Sequence, residues 1–197
     1  MNDYQIRTAL KHKTFVRYNN DPETLILDEL GLRHGAARID IAVLNGRLHG
    51  FEIKSDRDTL KRLPGQAAIF NSVLDRITLV VTHRYAYEAM RIVPDWWGIK
   101  LAEKGPRGAI HFVSLRRPRN NPSPDIAAVV KLLWRDEALS LLEELGAAKG
   151  VRSKPRAVLY ARLIEVAGPD FVHSSVLRQL KDRKDWRSDE RRTSDGD

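Results

Sequence analysis

The chain has 197 residues, of which 42% are hydrophobic and 30% charged, so it can bury a core and keep a solvated surface. It contains no cysteine, which excludes disulfides, thiolate metal sites and cysteine nucleophiles. Its 34 basic and 26 acidic residues give a net charge of +8, which permits a nucleic-acid partner without requiring one.

Nothing in the sequence indicates a membrane partner. No apolar run approaches the length of a membrane span, and the first residues lack the pattern of a signal peptide. We therefore expect a cytoplasmic protein. The sequence leaves the oligomeric state open, a homodimer included.

The first half of the chain alternates between helical and β-type patterns, which predicts an α/β (α+β) fold. The elements predicted up to residue 115 are, in chain order, a helix from Asp3 to about Arg17, strands at Thr24–Leu30, Arg38–Leu44 and Leu48–Lys54, a helix ending near Leu74, a strand at Ile77–Thr82, a helix at Tyr85–Ile92, and strands at Trp97–Ala102 and Ile110–Leu115.

The second half contains helical patterns only. Arg116–Pro124 is rich in proline and charge, as is typical of a linker. The helices predicted beyond it are Asp125–Leu133, Arg135–Leu145, Pro155–Ala167 and Val172–Asp185. We therefore predict a first domain at residues 1–118, a helical subdomain at residues 125–186 and a disordered polar tail at residues 187–197.

Three charged residues stand in predicted strands that are otherwise apolar. Asp40 lies in the second strand, and Glu52 and Lys54 end the third, where alternation puts them on one face. Burying such charges is costly unless each has a partner. A divalent cation between the strands would satisfy both carboxylates, with the Ile53 carbonyl as a further ligand. Lys54 would then assist the attacking water and offset charge on a phosphoryl group.

The register of the hairpin decides whether Asp40 and Glu52 share a face. A two-residue Asn45-Gly46 loop would put them on opposite faces, because a slip of one residue reverses every side chain. A three-residue loop, Leu44-Asn45-Gly46 with Gly46 left-handed in a G1 bulge, would put them on the same face. We predict that loop, or a bulge elsewhere in the strand pair.

Asp40, followed after eleven residues by Glu52-x-Lys54 on the next strand, resembles the PD-(D/E)xK nuclease superfamily. The resemblance implies a restriction-endonuclease-like αβββαβ core with a mixed sheet, here followed by an all-helical part. It also implies a nuclease that depends on Mg²⁺ or Mn²⁺ and hydrolyses phosphodiester bonds, with DNA as the expected partner. Segments 38–43 and 50–58, with Trp134-Arg135 and Lys154-Pro155-Arg156, also resemble a small bacterial family of proteins of about this length.

The resemblance extends to Glu29 and Gln66. Glu29 stands before the Asp40 strand, where superfamily members often carry an acidic residue that assists metal binding. Gln66 matches the glutamine of a Q-x-x-x-Y element, although Phe70 stands in place of its tyrosine. The residues expected to be catalytic are Asp40, Glu52, Lys54 and Gln66. The residues expected to bind the metal are Asp40, Glu52, Ile53 and Glu29.

Each of these residues also has a structural interpretation. E-x-K is common on salt-bridged surfaces, Glu29 would also pair with Arg33 or Arg38, and Gln66 suits an exposed helix face. Asp56 and Asp58 fit helix caps better than metal ligands. The six histidines lack the spacing of a metal site, and the tryptophans suit core packing better than base stacking.

The leading hypothesis is therefore a metal-dependent nuclease acting on DNA. Two alternatives stay open: a catalytically inactive nucleic-acid-binding module on the same fold, and a protein-interaction module that works through the helical half. No phosphate-cradling glycine loop and no G-x-S-x-G motif is present, which argues against an NTPase or an α/β hydrolase.

Overall fold

A computed structural model of the protein describes residues 1–183, which form a mixed six-stranded sheet with helices on both faces. The strands are β1 (Leu25–Leu32), β2 (Ala37–Leu44), β3 (Leu48–Lys54), β4 (Arg76–Val81), β5 (Gly98–Lys104) and β6 (Ile110–Arg116). The helices are α1 (Asp3–Lys13), α2 (Leu63–Val73), α3 (His83–Ile92), α4 (Ile126–Val129), α5 (Arg135–Glu144) and α6 (Arg156–Asp182). Short 3₁₀ turns occupy Val16–Tyr18 and Val130–Leu132.

The strands lie in the sheet in chain order, β1 to β6. The pairs β1–β2, β2–β3 and β5–β6 are antiparallel, whereas β3–β4 and β4–β5 are parallel and are joined by helices α2 and α3. The predicted α/β class and the α-β-β-β-α-β order of the first elements are therefore confirmed.

Two hydrophobic clusters lie on opposite faces of the sheet. On the α1 face, Ile6 and Leu10 of the helix pack with residues of β2, β3 and β4, among them Ile41, Phe51 and Val80. On the other face, one larger cluster joins the sheet to α2, α3 and all the C-terminal helices. Strands β3 and β4 are buried on both faces, and from Ile77 to Val81 the β4 sequence is nearly continuous in apolar residues.

Helix α1 is shorter than predicted. Asn2 caps its N-terminus in a capping box with Gln5, but the helix ends at Lys13 and not near Arg17. The chain turns there because Phe15 leaves the helix line and packs edge-to-face against Phe51, with 4.8 Å between the ring centroids. Burial of the Phe15 ring, which is 1% exposed, overrides the helical pattern of the sequence.

The β2–β3 hairpin has a three-residue loop, as predicted, but at a different position. Leu44 pairs with Leu48, so the loop is Asn45-Gly46-Arg47, one residue later than predicted. Gly46 is left-handed, with φ of 63°. Leu44 stays in the strand because its side chain is buried, and the ladder that results runs from Leu44–Leu48 to Ile41–Phe51.

The segment predicted to be a linker is held against the first half of the chain. Asn121 donates from its side chain to the carbonyls of Asn71 and Leu74, at 2.7 and 2.9 Å, and from its backbone to Asp75. Residues of the helical part then continue the same hydrophobic cluster as α2. The division at residues 118 and 125 stays a prediction, and the two parts share one core.

The two helices predicted at Pro155–Ala167 and Val172–Asp185 are confirmed as separate helical parts of α6. They meet at a non-helical residue, Gly168, where φ is 75° and Pro169 follows. The end predicted at Asp185, Trp186 and the tail at 187–197 lie outside the described residues. Within residues 1–183, no helix has the length and apolar character needed to cross a membrane.

An ion pair connects α6 to Asp75, the residue that precedes β4. His173 Nε2 lies 2.7 Å from Asp75 Oδ1, and the other carboxylate oxygen of Asp75 accepts from the Leu48 N–H at 2.7 Å. The hydrogen bond to Asp75 raises the pKa of His173 above its ordinary value of 6.5, against the opposing effect of burial. The protonated imidazole therefore stabilises the contact between the two halves of the chain.

Replacing His173 should remove a pH-dependent part of the stability. Because the pKa is raised on folding, the contribution is fully present below about pH 6.5 and is lost as the pH rises through the folded value. Urea unfolding should show His173→Gln to be less stable than wild type by about 1 kcal/mol at pH 5.5, with a smaller difference at pH 9. An equal difference at both pH values would contradict this role.

Candidate active site

The candidate site lies where β2 and β3 stop pairing. The β2–β3 ladder ends at the pair Ile41–Phe51, although β3 continues to Lys54 along β4. On the other side of β2, the β1–β2 ladder skips one pair, Glu29 with Asp40. Asp40 is therefore outside both ladders at the point where the strands separate.

The backbone around Asp40 is irregular on both strands that flank the missing pair. Ile39 and Ala42 belong to the same hydrophobic cluster although they are three residues apart, so the strict alternation of side chains is broken between them. Opposite Asp40, Glu29 has a left-handed φ of 57°. This deformation is not the bulge predicted for β2–β3, because the β1–β2 register is the same on both sides of it; it turns the Asp40 carboxylate into the gap.

The Asp40 carboxylate replaces a ladder partner for β3. Its Oδ2 accepts the backbone N–H of Ile53 at 2.6 Å, the donor that β2 would otherwise satisfy. Because the N–H and C=O of one strand residue point to the same side, the Ile53 carbonyl belongs to the same edge of β3.

Glu52 and Lys54 lie on the α2 face of the sheet, as their alternation predicts. The Lys54 ammonium donates to Glu52 Oε1 at 2.6 Å and to the Gln66 side-chain oxygen at 3.1 Å. Glu52 is 2% exposed and Lys54 5%, so this pair is fully desolvated. The second oxygen of Glu52, Oε2, is buried and has no hydrogen-bond partner among the described residues.

Burial leaves both carboxylates short of stabilisation. It raises the pKa of Asp40 to about 8, with the charge of Glu52 as the next cause, and nearby Arg7 offsets only part of this. The pKa of Glu52 is raised mainly by burial as well, and Lys54 and the Gln66 side chain oppose the shift. The charge of Glu52 therefore disfavours the ionised form of Asp40, a situation that a further cation would relieve.

Helix α1 supplies a residue that the sequence reasoning missed. Arg7 donates to the Asp40 carbonyl at 2.7 Å and to its Oδ1 at 3.2 Å, and it also pairs with Asp3 and Glu29. Two sequence features could have indicated that Arg7 lies near the sheet: it follows the apolar Ile6, and it stands four residues after Asp3, with which it pairs on the helix. Arg7 thus supplies the hydrogen bonds to the Asp40 carbonyl and carboxylate that neighbouring strands do not provide.

The other predicted site residues are placed as follows. Gln66 reaches the site through Lys54. Glu29 is half-exposed and pairs with Arg7, and with Arg38 at 3.9 Å. Its charge also raises the pKa of Glu52, and its role as a metal ligand stays a prediction. Across residues 1–183, no group of three or more histidine, aspartate or glutamate side chains is arranged to hold a metal ion.

The predicted helix caps are wrong. The N-cap position of α2 is Arg62, with Pro64 in the first turn. Asp58 instead accepts from the backbone N–H of Ser55 at 2.8 Å and from its hydroxyl at 2.6 Å, and Asp56 pairs with the N-terminal amine. These contacts fix the turn directly after Lys54. Phe70, which stands where the related element has tyrosine, is fully buried.

Fold and site together define an α/β protein with a mixed six-stranded sheet and a buried Asp–Glu–Lys cluster at the separation of two antiparallel strands. The sequence model of the family described as Bacteriophage P4 protein cII matches residues 2–192, so the chain belongs to that family. Protein cII of Enterobacteria phage P4 is 29% identical over 124 residues, which cover 63% of this chain and 47% of the phage protein. The chain thus matches about half the length of this curated relative. No solved structure shows significant similarity.

Removing Arg7 should destabilise the fold more than removing an exposed cation from the same helix. Arg7→Met leaves Asp40 and Glu29 without their shared partner, which we expect to cost about 1–3 kcal/mol. The matched control is Lys11→Met, because Lys11 also pairs with a carboxylate, that of Asp28, but is 43% exposed and should cost under about 1 kcal/mol. Chemical unfolding of both variants would test this, and equal losses would contradict the bridging role of Arg7.

Proposed function

We propose that the chain is a nuclease that depends on Mg²⁺ or Mn²⁺ and hydrolyses phosphodiester bonds in DNA. The observation that carries the proposal is the buried, unpartnered Oε2 of Glu52, close to an Asp40 carboxylate whose pKa is raised by the same burial. A native fold rarely leaves a buried carboxylate oxygen without a partner unless the site has a function.

The residues present fit a hard divalent cation. Asp40 and Glu52 would hold it with carboxylate oxygens, and the Ile53 carbonyl would be a third ligand. With two side-chain ligands, the site suits Mg²⁺ better than Zn²⁺, because Mg²⁺ keeps several waters when it binds to proteins. When bound, the cation supplies Lewis-acid polarisation of the phosphate and activation of water.

Lys54, held in place by Gln66, is the cationic side chain that would act in the reaction. The Lys54 ammonium has three donors, of which one bonds to Glu52 and one to Gln66. The third donor is left for a phosphate oxygen or for the attacking water. Held in place by Gln66, Lys54 keeps a positive charge where negative charge develops on the phosphoryl group.

The topology supports a restriction-endonuclease-like core as part of this proposal. An initial helix, three antiparallel strands, a crossover helix and a parallel fourth strand follow one another in the order that the resemblance implies. The acidic residue on β2 and the Glu-x-Lys on β3 occupy neighbouring strands in that order. Glu29 enters the proposal as a residue that holds Arg7.

One observation favours the alternative of an inactive nucleic-acid-binding module. Arg7 pairs with Asp40 and Lys54 pairs with Glu52, so the cluster can also be interpreted as a network of ion pairs that only stabilises the fold. The two interpretations differ in one measurable property, because only the nuclease needs a divalent cation at this position.

Divalent cations should stabilise the protein through Asp40 and Glu52. A cation at about 100 times its dissociation constant adds about 2.7 kcal/mol, on the order of 5–10 °C in the melting temperature for a chain of this size. Differential scanning calorimetry with Mn²⁺ should show this shift in wild type and not in Asp40→Asn or Glu52→Gln. Asp95→Asn is the matched control, because Asp95 is 89% exposed and far from the strand gap. A shift of equal size in Glu52→Gln and in the control would place the binding elsewhere.

Cleavage should depend on the same residues. Purified protein with Mn²⁺ or Mg²⁺ is incubated with linear, circular and single-stranded DNA and with RNA, and Asp40→Asn and Lys54→Met should each lower the rate at least about 100-fold. Lys54→Met leaves the Glu52 carboxylate buried without its cationic partner, which destabilises the fold. The double variant Glu52→Gln/Lys54→Met removes that uncompensated charge, so it separates the loss of a catalytic group from misfolding. Equal rates in wild type and variants would contradict the proposal. Cation binding without cleavage of any substrate would favour the binding module.

A further inference from the structure

A second concave site lies on the opposite face of the sheet from Glu52 and Lys54. It is a groove of about 470 Å³ between the end of α1, the 3₁₀ turn and strands β5 and β6. Its lining residues are Lys13, Thr14, Val16, Arg17, Lys100, His111 and Phe112.

The sheet register separates this groove from the carboxylate site. Lys100 pairs with Val80, which belongs to the cluster on the α1 face. Glu52 pairs with Leu79, which belongs to the cluster on the α2 face. Because paired residues of neighbouring strands share a face, Lys100 and Glu52 point to opposite sides of the sheet. The groove therefore needs its own explanation.

The lining of the groove is basic and contains no acidic residue. Lys13, Arg17 and Lys100 contribute three cationic groups, whereas the His111 side chain alternates with that of Phe112 and lies on the other face of the sheet, that of its strand partner Glu103. Lys13 donates to the Ile110 carbonyl at 2.6 Å, and Arg17 donates to the Tyr18 hydroxyl at 2.7 Å, so neither has a carboxylate partner. Among the described residues, the Lys100 ammonium makes no hydrogen bond or ion pair.

The cations of the groove act on one another without a counterion. Burial lowers the pKa of Lys100, and the charge of Arg17 lowers it further. Beneath them, burial and the charges of Arg76, Arg17 and Lys100 lower the pKa of His49 to about 3. Concentrating positive charge in a concave, partly desolvated surface is unfavourable unless an anion binds there.

We propose that this groove binds the phosphate group of a nucleotide, with Lys100 and Arg17 as the principal phosphate contacts. The volume falls in the range of about 300–1,000 Å³ that is typical of small-molecule sites, which is more than a free phosphate ion needs. The Phe112 ring offers a surface for a base, and the Thr14 hydroxyl is a further donor to a phosphate oxygen.

Two sources of ligand share this chemistry: a free nucleotide, and one nucleotide unit within a single strand. The experiment uses deoxythymidine monophosphate and a fluorescein-labelled ten-residue oligo(dT) as separate probes, titrated by calorimetry and by fluorescence anisotropy. EDTA is present throughout, so that the carboxylate site binds no cation and no strand is cut. The result is therefore independent of whether the chain is a nuclease.

The variants are Lys100→Gln and Arg17→Gln, with Lys149→Gln as the matched control. Lys149 is an exposed lysine in the loop between α5 and α6 with no carboxylate partner within residues 1–183, so the control removes the same charge away from the groove. We expect each groove variant to weaken binding of at least one probe by about tenfold or more, and the control by less than about twofold. Lys100→Arg, which keeps the charge, should retain binding.

Each outcome decides the matter. Binding of both probes with this variant pattern identifies a nucleotide site, and binding of the oligonucleotide alone identifies a site for a strand. No binding of either probe by wild type would overturn the proposal, as would equal weakening in Lys100→Gln and Lys149→Gln. Because Lys100 has no side-chain partner to lose, its glutamine variant should melt within about 2 °C of wild type, so misfolding would not account for lost binding.

Discussion

The burial of two carboxylates at the separation of β2 and β3 is the constraint on which the rest of the site depends. The Glu52 residue is 2% exposed and the Asp40 side chain 20%, and burial raises the pKa of both. A fold tolerates this arrangement only if each charge is compensated. Arg7 and Lys54 provide part of that compensation, and the unpartnered oxygen of Glu52 marks the part that is left.

Elements far apart in the chain fix this cluster. Helix α1 brings Arg7 to Asp40 because Ile6 and Leu10 anchor the helix to the sheet. Helix α2 brings Gln66 to Lys54, and its own buried face packs in the cluster that includes the C-terminal helices. The helical half thus supports the element that positions Lys54, although it contributes no side chain to the Asp–Glu–Lys cluster itself.

Sequence patterns predicted the strands well because each is a short apolar run between turn residues, and they identified Glu52 and Lys54 because charges in such runs are unusual. They could not locate Arg7, since its role depends on how α1 packs on the sheet. They placed the end of α1 too late because the burial of Phe15 is a tertiary effect. The predicted position of the hairpin loop was wrong by one residue for a similar reason, because Leu44 is buried in the core and stays in the strand.

The most direct test of the central claim is the position of a bound cation. Crystals of the protein grown with Mn²⁺ would be measured at a wavelength where manganese scatters anomalously. The proposal predicts one anomalous peak between Asp40 and Glu52, within about 2.0–2.3 Å of a carboxylate oxygen of each. A fully formed Asp40–Arg7 and Glu52–Lys54 cluster with no peak between the carboxylates, at saturating Mn²⁺, would contradict it.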